Sequence, residues 1–380
     1  MSIFARNPLT LYKYFAEVRP DCMKAYVFLI AAFLLCACSS DRYVSFSGYA
    51  QGGVWTVKAN LKGANCPREE IASHIEALLE DIDFSLSGYN KGSLLSRLNS
   101  GERIVPDSLL IRAYDESYRY YLASGAAFDI AAAPLYDAWG FGFSSGQMPS
   151  DSEVTALLSC SSSSRLVPRM EDALGADGSL CAEDLLRCKH GANPSQTGLR
   201  AGEKSPGPVA PKLNFNAIAQ GLTSDIIAEY LRSVGIRDML VDIGEIYCCG
   251  LNPSGKPWTI GIDAPIDGND IPGEHLQGIW NSGGLPLGIV TSGNYRKFYV
   301  RDGKKYAHTI DPRSGYPVSH SLLSATVVAP SATRADALAT ACMVLGPDRG
   351  RELILSDPEL EACFIMDADS VWTSPGFLLR

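Results

Sequence analysis

The chain has 380 residues, with 33 Lys or Arg against 42 Asp or Glu, so its formal net charge is -9 at pH 7. This acidic balance argues against a nucleic-acid-binding protein, because affinity for phosphate backbones rests on clustered positive charge. Hydrophobic residues make up 46% of the chain and charged residues 20%, which excludes a disordered protein and provides for a sizeable core. The sequence has no Walker A, Gly-x-Ser-x-Gly, His-Glu-x-x-His or Gly-x-Gly-x-x-Gly motif, so the usual nucleotide-binding loops are not indicated.

An apolar run near the N-terminus has the pattern of an export signal. Residues 25–37 are apolar except for Tyr26 and Cys36, and they follow Lys24 and precede Cys38. The run is too short to span a bilayer, which needs about 20 apolar residues. Small residues before Cys38 and serines after it are typical of a bacterial lipoprotein signal peptide. A buried core helix is the alternative, but no helix cap or amphipathic period accompanies the run.

These features predict how the N-terminal part of the chain is divided. We expect a signal peptide over residues 1–37, with Met23 as an alternative start of translation because it directly precedes the basic residue of the signal. A lipid on Cys38 and a polar tether over 38–48 would anchor the chain to a membrane. The remaining residues, 49–380, would form a domain in the aqueous phase.

Beyond the tether, strands and helices follow one another without a strict βα alternation. Residues 43–61 alternate as a strand, and residues 68–84 carry apolar side chains at helical spacing. The other predicted elements are helices over 108–125 and 333–346, a segment from 213 that turns from strand to helix and ends at 233, and strands over 238–250, 258–262, 287–291 and 325–328. This mixture predicts an α+β fold rather than a doubly wound sheet.

The composition changes over residues 144–212, where Ser, Gly and Pro accumulate. Such a stretch is expected to bury little surface, so we predict a surface insertion over about 186–212 within the domain. The cysteines beyond the signal peptide stand at spacings that fit no named disulfide or zinc pattern. We expect mostly buried thiols, with Cys181 and Cys188 as the pair if a disulfide forms.

Two oxygen-bearing side chains stand four residues apart in the predicted helix 333–346. On a helix, Asp336 and Thr340 lie one above the other on one face. A carboxylate and a hydroxyl are hard oxygen ligands, the kind that Mg²⁺ prefers when waters and phosphate oxygens complete its octahedron. A helix cap or a surface pair is the alternative and the commoner use of this pattern.

Two loops before this helix carry further candidates. His308 precedes a series of Pro and Gly turns, so it stands at a strand end, where it is either a proton acceptor near neutral pH or a structural residue. Gly293 is flanked by Thr291, Ser292 and Asn294, which can offer hydroxyls and amides to a phosphate or can simply end a strand.

Three earlier segments complete the set. Gly221 lies where a strand is predicted to turn into a helix, and it permits close backbone approach. A carbonyl exposed at such a turn can be a third hard ligand. Tyr89 stands on a loop before a helix, where its flat ring can stack on a flat ligand. Residues 128–142 combine small residues with Trp139 and Phe141, which can also be plain core aromatics.

Taken together and in this order, these segments resemble the ApbE-type FAD:protein FMN transferases, a family of periplasmic bacterial lipoproteins. The similarity runs from about Tyr49 to Gly346 and is interrupted by the predicted insertion. The resemblance implies an α+β fold with an antiparallel sheet core and packed helices, an ApbE-like (T-fold-like) architecture, and an FAD cleft between subdomains. It also implies FAD as substrate, Mg²⁺ at the FAD pyrophosphate, and a chain anchored at the periplasmic face of a bacterial membrane.

The resemblance also assigns roles to individual residues. The metal ligands would be Asp336, Thr340 and the carbonyl of Ala217, with Ala339 nearby. His308 matches the histidine that is proposed as general base in the family. The residues implied for the FAD cleft are Gln51, Tyr89, Ala127, Phe128, Asp129, Asn214, Gln220 and Ile310. The ring of Tyr89 would stack against the isoalloxazine.

The chain departs from the family pattern at three positions. Gln51 begins a Gln-Gly-Gly sequence where the family often has Met-Gly-Thr. Asn214 stands where Asp is usual, and Gln220 where Lys or Glu is usual. Because a carboxylate is missing at position 214, we expect weaker metal binding or a changed polarity of the cleft.

The reaction implied by the resemblance moves FMN from FAD to a threonine hydroxyl of an acceptor protein and releases AMP. The family's acceptors include membrane redox subunits with a Ser/Thr-Gly-Ala-Ser/Thr type of site. One alternative is an FAD pyrophosphatase, in which water replaces threonine and the products are FMN and AMP. Another is a lipoprotein that binds FAD without turning it over. A transport-type substrate-binding lipoprotein would need two hinged α/β lobes, which the sequence does not indicate.

Overall fold

The structure is a computed structural model that describes residues 43–142, 148–187, 210–266, 269, 271, 273–294, 298–301, 304–367 and 370–380. The chain divides into a unit of Met1–Val44 and a unit of Ser45–Arg380. The predicted signal peptide and the lipidation site Cys38 lie outside the described residues. Within the described part, no helix combines the length and the apolar character that crossing a membrane requires.

The central element is a sheet of eight strands in the order β1-β2-β3-β4-β7-β10-β11-β12. Every strand pair whose register is described in this sheet is antiparallel. Two hairpins, β5-β6 and β8-β9, form separate two-stranded sheets. The strands are β1 Tyr43–Ala50, β2 Gly53–Asn60, β3 Met239–Asp242, β4 Ile246–Cys249, β5 Thr259–Asp263, β6 Leu276–Asn281, β7 Leu287–Gly293, β8 Phe298–Arg301, β9 Lys304–Ala307, β10 Leu322–Ala329, β11 Glu361–Met366 and β12 Val371–Thr373.

Helices pack on this sheet and fill the long connections between strands. The α-helices are α1 Arg68–Leu86, α2 Leu94–Asn99, α3 Ser108–Ala123, α4 Ala133–Ala138, α5 Asp151–Leu158, α6 Ala219–Ser233 and α7 Ala332–Leu355. Short 3-10 helices occur at Ile130–Ala132, Ser163–Arg165, Met170–Ala173 and Ala182–Leu185. Helix α7 packs against β7, β10 and α6, so it joins the sheet to the neighbouring helix. The α+β class and the antiparallel sheet core are confirmed.

Two glycines let α7 approach its neighbours at backbone distance. A Cβ atom added at Gly288 of β7 would lie 2.3 Å from the backbone nitrogen of Ala332. A Cβ at Gly221 of α6 would lie 2.5 Å from the carbonyl oxygen of Ala332. Side chains at either position would push α7 away, because real Cβ contacts are not that short. The two glycines therefore fix where the first turns of α7 lie.

The predicted elements are found with shifts that have physical reasons. The predicted strand 43–61 is the hairpin β1-β2, and the predicted strand 238–250 is the hairpin β3-β4. The segment from 213, predicted to turn from strand to helix, forms no strand, because Leu213 exchanges its two backbone hydrogen bonds with the Asn99 side chain. The helix that follows begins at Ala219. Helix α7 is interrupted at the predicted end, because Gly346 has non-helical backbone angles, and a second helical segment follows it to Leu355.

The segment between α4 and α6 is more buried than its composition suggests. Residues 148–187 form α5 and three short 3-10 helices, and the side chains of Leu166, Met170, Leu180 and Leu185 are 0% exposed. The expectation of little buried surface is therefore wrong for this part. Most of the predicted insertion, residues 188–209, lies outside the described residues. Cys181 is a free, half-buried thiol, and its predicted partner Cys188 also lies outside them.

Candidate functional site

A cavity of about 370 Å³ opens beside α7. One wall, which we call the buried wall, consists of residues from β7, α7, the start of α6 and the β3-β4 turn. A second wall, the open wall, consists of the loop at Tyr89, residues 127–141 and the segment at His308. Ten of the residues predicted for the site line this cavity: Tyr89, Ala127, Phe128, Asp129, Asn214, Ala217, Gln220, His308, Asp336 and Thr340.

Asp336 is the central side chain of the buried wall. It is 5% exposed, and its Oδ2 accepts a hydrogen bond of 3.1 Å from the backbone N–H of Gly221. That bond is possible because Gly221 has no side chain between the two helices. The carboxylate is therefore held in place by the backbone of α6 and faces the cavity.

The start of α7 is fixed by a second buried carboxylate. Asp225 of α6 accepts hydrogen bonds from the backbone N–H groups of Ala332 and Thr333, at 2.9 and 2.8 Å, and one of 2.5 Å from the Thr333 hydroxyl. The first N–H groups of a helix have no partner within the helix, so this contact satisfies them. Ser331 adds a regular N-cap by accepting from Arg334 N–H.

The buried wall is an unfavourable place for two negative charges. Burial raises the pKa of Asp336 to about 7, and the charge of Asp225 adds to the rise. Burial also raises the pKa of Glu245, well above its usual range, and the charge of Asp336 is the second cause. Both carboxyl groups line the cavity. A cation beside them would relieve the repulsion and the lost solvation, so this wall favours a positive ion.

The oxygen donors at this wall suit one kind of metal. Thr340 lies one helical turn after Asp336, and its Oγ1 is 3.5 Å from Oγ of Ser292 on β7. Ala217 lines the same cavity in the turn before α6. The described residues contain no cluster of three or more His, Cys, Asp or Glu that could hold a metal. The predicted ligand set of one carboxylate, one hydroxyl and one carbonyl fits Mg²⁺, which keeps several waters or phosphate oxygens as ligands, and does not fit Zn²⁺.

The open wall presents an aromatic ring to solvent. Tyr89 is 69% exposed, and its hydroxyl accepts a hydrogen bond of 3.4 Å from Nδ2 of Asn216, which also lines the cavity. The loop that carries it is tied by Ser87, whose Oγ accepts from the N–H groups of Tyr89 and Asn90. An exposed but positioned ring is suited to stacking on a flat ligand.

His308 stands where β9 ends and is half-buried. Its ring meets the ring of Phe141 edge to face, with 6.4 Å between centroids. The next residue, Thr309, donates a hydrogen bond of 2.6 Å to Oδ1 of Asn294. Tyr136, which lines the cavity, takes part in a hydrogen bond with the backbone of Ile310. The histidine is therefore carried by a loop that Asn294 holds through the Thr309 side chain and Tyr136 holds through the backbone of Ile310.

Asp129 lines the cavity, but its carboxylate is occupied by hydrogen bonds that stabilise the fold. Its carboxylate accepts from the N–H and the hydroxyl of Ser163 and from the N–H of Ala131. Burial raises its pKa, and these hydrogen bonds act in the opposite direction. It joins the short helix at Ile130 to the segment 148–187, so it shapes the cavity from behind.

Three predicted residues do not line the cavity. Gln51 lies in the β1-β2 turn with φ 51°, and its Nε2 donates to Oγ1 of Thr223 at 2.6 Å. Ile310 packs in a small cluster with Trp139, and Ala339 lies in the main core; both are 0% exposed. The roles predicted for these three residues stay predictions.

Sequence reasoning missed several residues that line the cavity, among them Tyr136, Asn216 and Glu245. Tyr136 was part of a segment interpreted as core, and Asn216 was passed over beside Asn214. Glu245 was not considered at all, although an acidic residue in the short turn between two apolar strands is a usable signal. Its position at the cavity depends on the β3-β4 hairpin, which brings it to α7.

Known proteins are similar to this chain over most of its length. An FAD:protein FMN transferase of Vibrio cholerae is 30% identical, with 85% of this chain and 88% of the relative covered. One of Escherichia coli is also 30% identical, with 87% of both chains covered. The solved structure of the flavin transferase ApbE from Vibrio cholerae superposes with a TM-score of 0.69 at 28% identity, covering 88% of this chain and 99% of that one.

A second solved structure is also similar in fold. The apo form of the flavinyl transferase ApbE of Pseudomonas stutzeri has a TM-score of 0.68 at 29% identity, covering 88% of this chain and 96% of that one. The model of the ApbE family matches residues 52–364. That range contains both walls of the cavity and more than half of the chain. The protein is therefore a member of the ApbE family.

Proposed function

We propose that the protein is a Mg²⁺-dependent FAD:protein FMN transferase that moves FMN from FAD to a threonine hydroxyl of an acceptor protein and releases AMP. The observation that carries the proposal is the pairing of walls in one cavity. Asp336 and Thr340 face it from α7, while His308 and Tyr89 face it from the open wall. The relatives with matching chains carry the name of this activity.

The buried wall is the part that would hold the metal. Asp336, Thr340 and the carbonyl of Ala217 are the residues that we assign as ligands. When bound, Mg²⁺ supplies positive charge that neutralises the pyrophosphate of FAD and the leaving phosphate. The protein's own contribution is to keep the Asp336 carboxylate fixed by the N–H of Gly221, so that the ligand needs no rearrangement.

The open wall would bind the flavin and the acceptor. The exposed ring of Tyr89 stacks on the isoalloxazine, which places the pyrophosphate toward α7. His308 takes the proton from the threonine hydroxyl of the acceptor. The threonine oxygen then forms a bond to the phosphorus of the FMN half, and the bond from that phosphorus to the AMP oxygen breaks. AMP leaves with the electron pair of the broken bond.

The same chemistry with water would give hydrolysis. The large exposure of Tyr89 leaves the flavin side of the cavity open to solvent, so water competes with the acceptor hydroxyl. Because both reactions release AMP, only the fate of FMN separates them. The test must therefore follow both products.

The experiment uses the full chain in detergent with FAD, Mg²⁺ and an acceptor domain that contains a Ser/Thr-Gly-Ala-Ser/Thr site. AMP release and acceptor mass are measured together, with Asp336→Asn as the inactive control. A mass gain of one FMN supports the transferase. AMP release with an unmodified acceptor points to an FAD pyrophosphatase. Bound FAD with neither change points to a flavin-binding lipoprotein and overturns the proposal.

Membrane attachment is a further part of the proposal. The sequence around Cys38 supports a lipid anchor that holds the domain at the periplasmic face of a bacterial membrane. Radiolabelled palmitate should enter the wild-type protein and not the Cys38→Ala variant, and only the wild type should sediment with membranes. Equal membrane attachment of both proteins would refute the anchor.

A further inference from the structure

Helix α7 is interrupted shortly after its candidate metal ligands. Gly346 has φ 77° and ψ -179°, which is not helical, and Pro347 follows it. A proline has no N–H, so the carbonyl of Met343, four residues earlier, lacks the donor that a continuous helix would supply. Met343 is 1% exposed, which keeps water from taking that place.

A histidine from another part of the chain supplies the missing donor. His320 Nε2 lies 2.8 Å from the carbonyl oxygen of Met343. The other ring nitrogen, Nδ1, accepts a hydrogen bond of 3.2 Å from the N–H of Leu322. One neutral tautomer, with its proton on Nε2, satisfies both contacts. A Cβ at position 346 would lie 3.0 Å from the ring, so the glycine also makes room for the imidazole.

His320 ends the loop that His308 begins. Several contacts hold this loop to its surroundings: Thr309 bonds Asn294, and the carbonyl of Gly315 accepts from Trp139 Nε1 at 2.8 Å. The bond from His320 reaches a different partner, the helix that carries the metal-site residues. The acceptor of this bond, the carbonyl of Met343, lies three residues beyond Thr340 on the same helix.

We propose that His320 is a positioning residue for the transfer reaction. Its imidazole ties the half of α7 that carries Thr340 to the loop that carries His308, and so sets the distance between the metal site and the proton acceptor. The inference rests on the proposed function of this cavity. A shift of about 1 Å between such groups costs on the order of a hundredfold in rate.

Two substitutions separate the two contacts of the ring. In His320→Gln, the amide nitrogen reaches the place of Nε2 and can still donate to Met343. In His320→Asn, the shorter side chain can still accept from Leu322 N–H but does not reach α7. Tyr316→Phe is the matched control, because it removes another hydrogen bond of the same loop, from the Tyr316 hydroxyl to Asp151, and leaves α7 untouched.

The first readout is steady-state transfer by the full chain. For His320→Asn we expect kcat to fall about thirtyfold and the Mg²⁺ concentration for half-maximal rate to rise several-fold, while the Kd for FAD changes less than about twofold. His320→Gln and Tyr316→Phe should stay within about threefold of the wild type in all three quantities. Equal losses in the Gln and Asn variants, or normal kinetics in His320→Asn, would overturn the proposal.

The second readout does not need turnover. Hydrogen exchange of peptides from 332–355 and 308–320 should become about tenfold faster or more in His320→Asn and stay at the wild-type rate in His320→Gln. Unchanged exchange in both peptides of His320→Asn would refute the tie between loop and helix. If the wild type binds FAD but transfers no FMN, the proposed function fails instead, and the exchange result still decides whether His320 links the two segments.

Discussion

The two walls of the cavity are built in opposite ways. The buried wall is fixed by backbone contacts: Gly221 and Gly288 bring α6 and β7 against the start of α7, and Asp225 caps it. The open wall carries its ring, Tyr89, on a loop that is 69% exposed at that residue. A carboxylate that must hold an ion gains from a position fixed before binding, whereas a surface that admits a large flat substrate must stay open.

The contrast also has an electrostatic side. Packing at the buried wall removes Asp336 and Glu245 from water, and burial raises the pKa of both carboxyl groups. The proposed cation would recover part of the free energy lost in this way, so we expect its binding to stabilise the wall. The ring of Tyr89 on the open wall carries no such cost, because it is uncharged and 69% exposed.

The largest expected effect is that of Asp336→Asn. Transfer should fall below detection, because the neutral amide cannot serve as the anionic ligand. The amide oxygen can still accept the hydrogen bond from the N–H of Gly221, and the variant no longer buries the negative charge of the carboxylate. We therefore expect the metal-free variant to unfold at higher urea concentration than the wild type at pH 8. Near-normal AMP release in this variant would remove Asp336 from the metal site.

His308→Ala should slow transfer by about a hundredfold, as expected for a lost general base. FAD affinity, measured by flavin fluorescence, should remain within about twofold, because the flavin is assigned to Tyr89. His275→Ala is the control, since His275 is exposed and does not line the cavity. A rate like that of the control would make His308 a structural residue.

Gly221→Ala tests the fixed geometry of the buried wall. The added methyl group would meet the carbonyl of Ala332 at 2.5 Å, so α6 and α7 must separate. We expect a loss of about 3 kcal/mol in the free energy of unfolding and a drop in turnover. Gly53→Ala, where the new methyl meets nothing within 4 Å, is the control for stability in urea unfolding. Equal stability of both variants would contradict close packing as the cause.

Tyr89→Ala should have the smallest effect of the four. Loss of the stacked ring should weaken FAD binding about tenfold, with kcat for bound FAD largely kept. Tyr89→Phe keeps the ring and loses only the hydrogen bond from Asn216, so its Kd should stay near that of the wild type. Calorimetric titration with FAD distinguishes the two, and equal affinity of Tyr89→Ala would place the flavin elsewhere.

Much of the buried wall was predictable because its signals are local. The i, i+4 spacing of Asp336 and Thr340 specifies one helix face whatever surrounds it. The apolar side chains of α1 at Ile71, Ile75 and Leu79 also follow a periodicity that the structure confirms by their burial. Such patterns need no knowledge of distant contacts.

What the sequence did not predict depends on contacts between distant segments. Glu245 reaches the cavity only because β3 and β4 form a hairpin beside β7. The buried residues of 148–187, such as Leu166 and Leu180, lie in short 3-10 turns, where no helical or strand period marks them. Composition alone therefore gave the wrong expectation for that segment.

The most direct test is a crystal structure with FAD and with Mn²⁺ in place of Mg²⁺, located by its anomalous scattering. If the buried wall binds the metal and the open wall binds the flavin, an anomalous peak is expected beside the Asp336 carboxylate and the Thr340 hydroxyl. The flavin ring is then expected against Tyr89. A peak away from Asp336, or a flavin ring against α7, would contradict it.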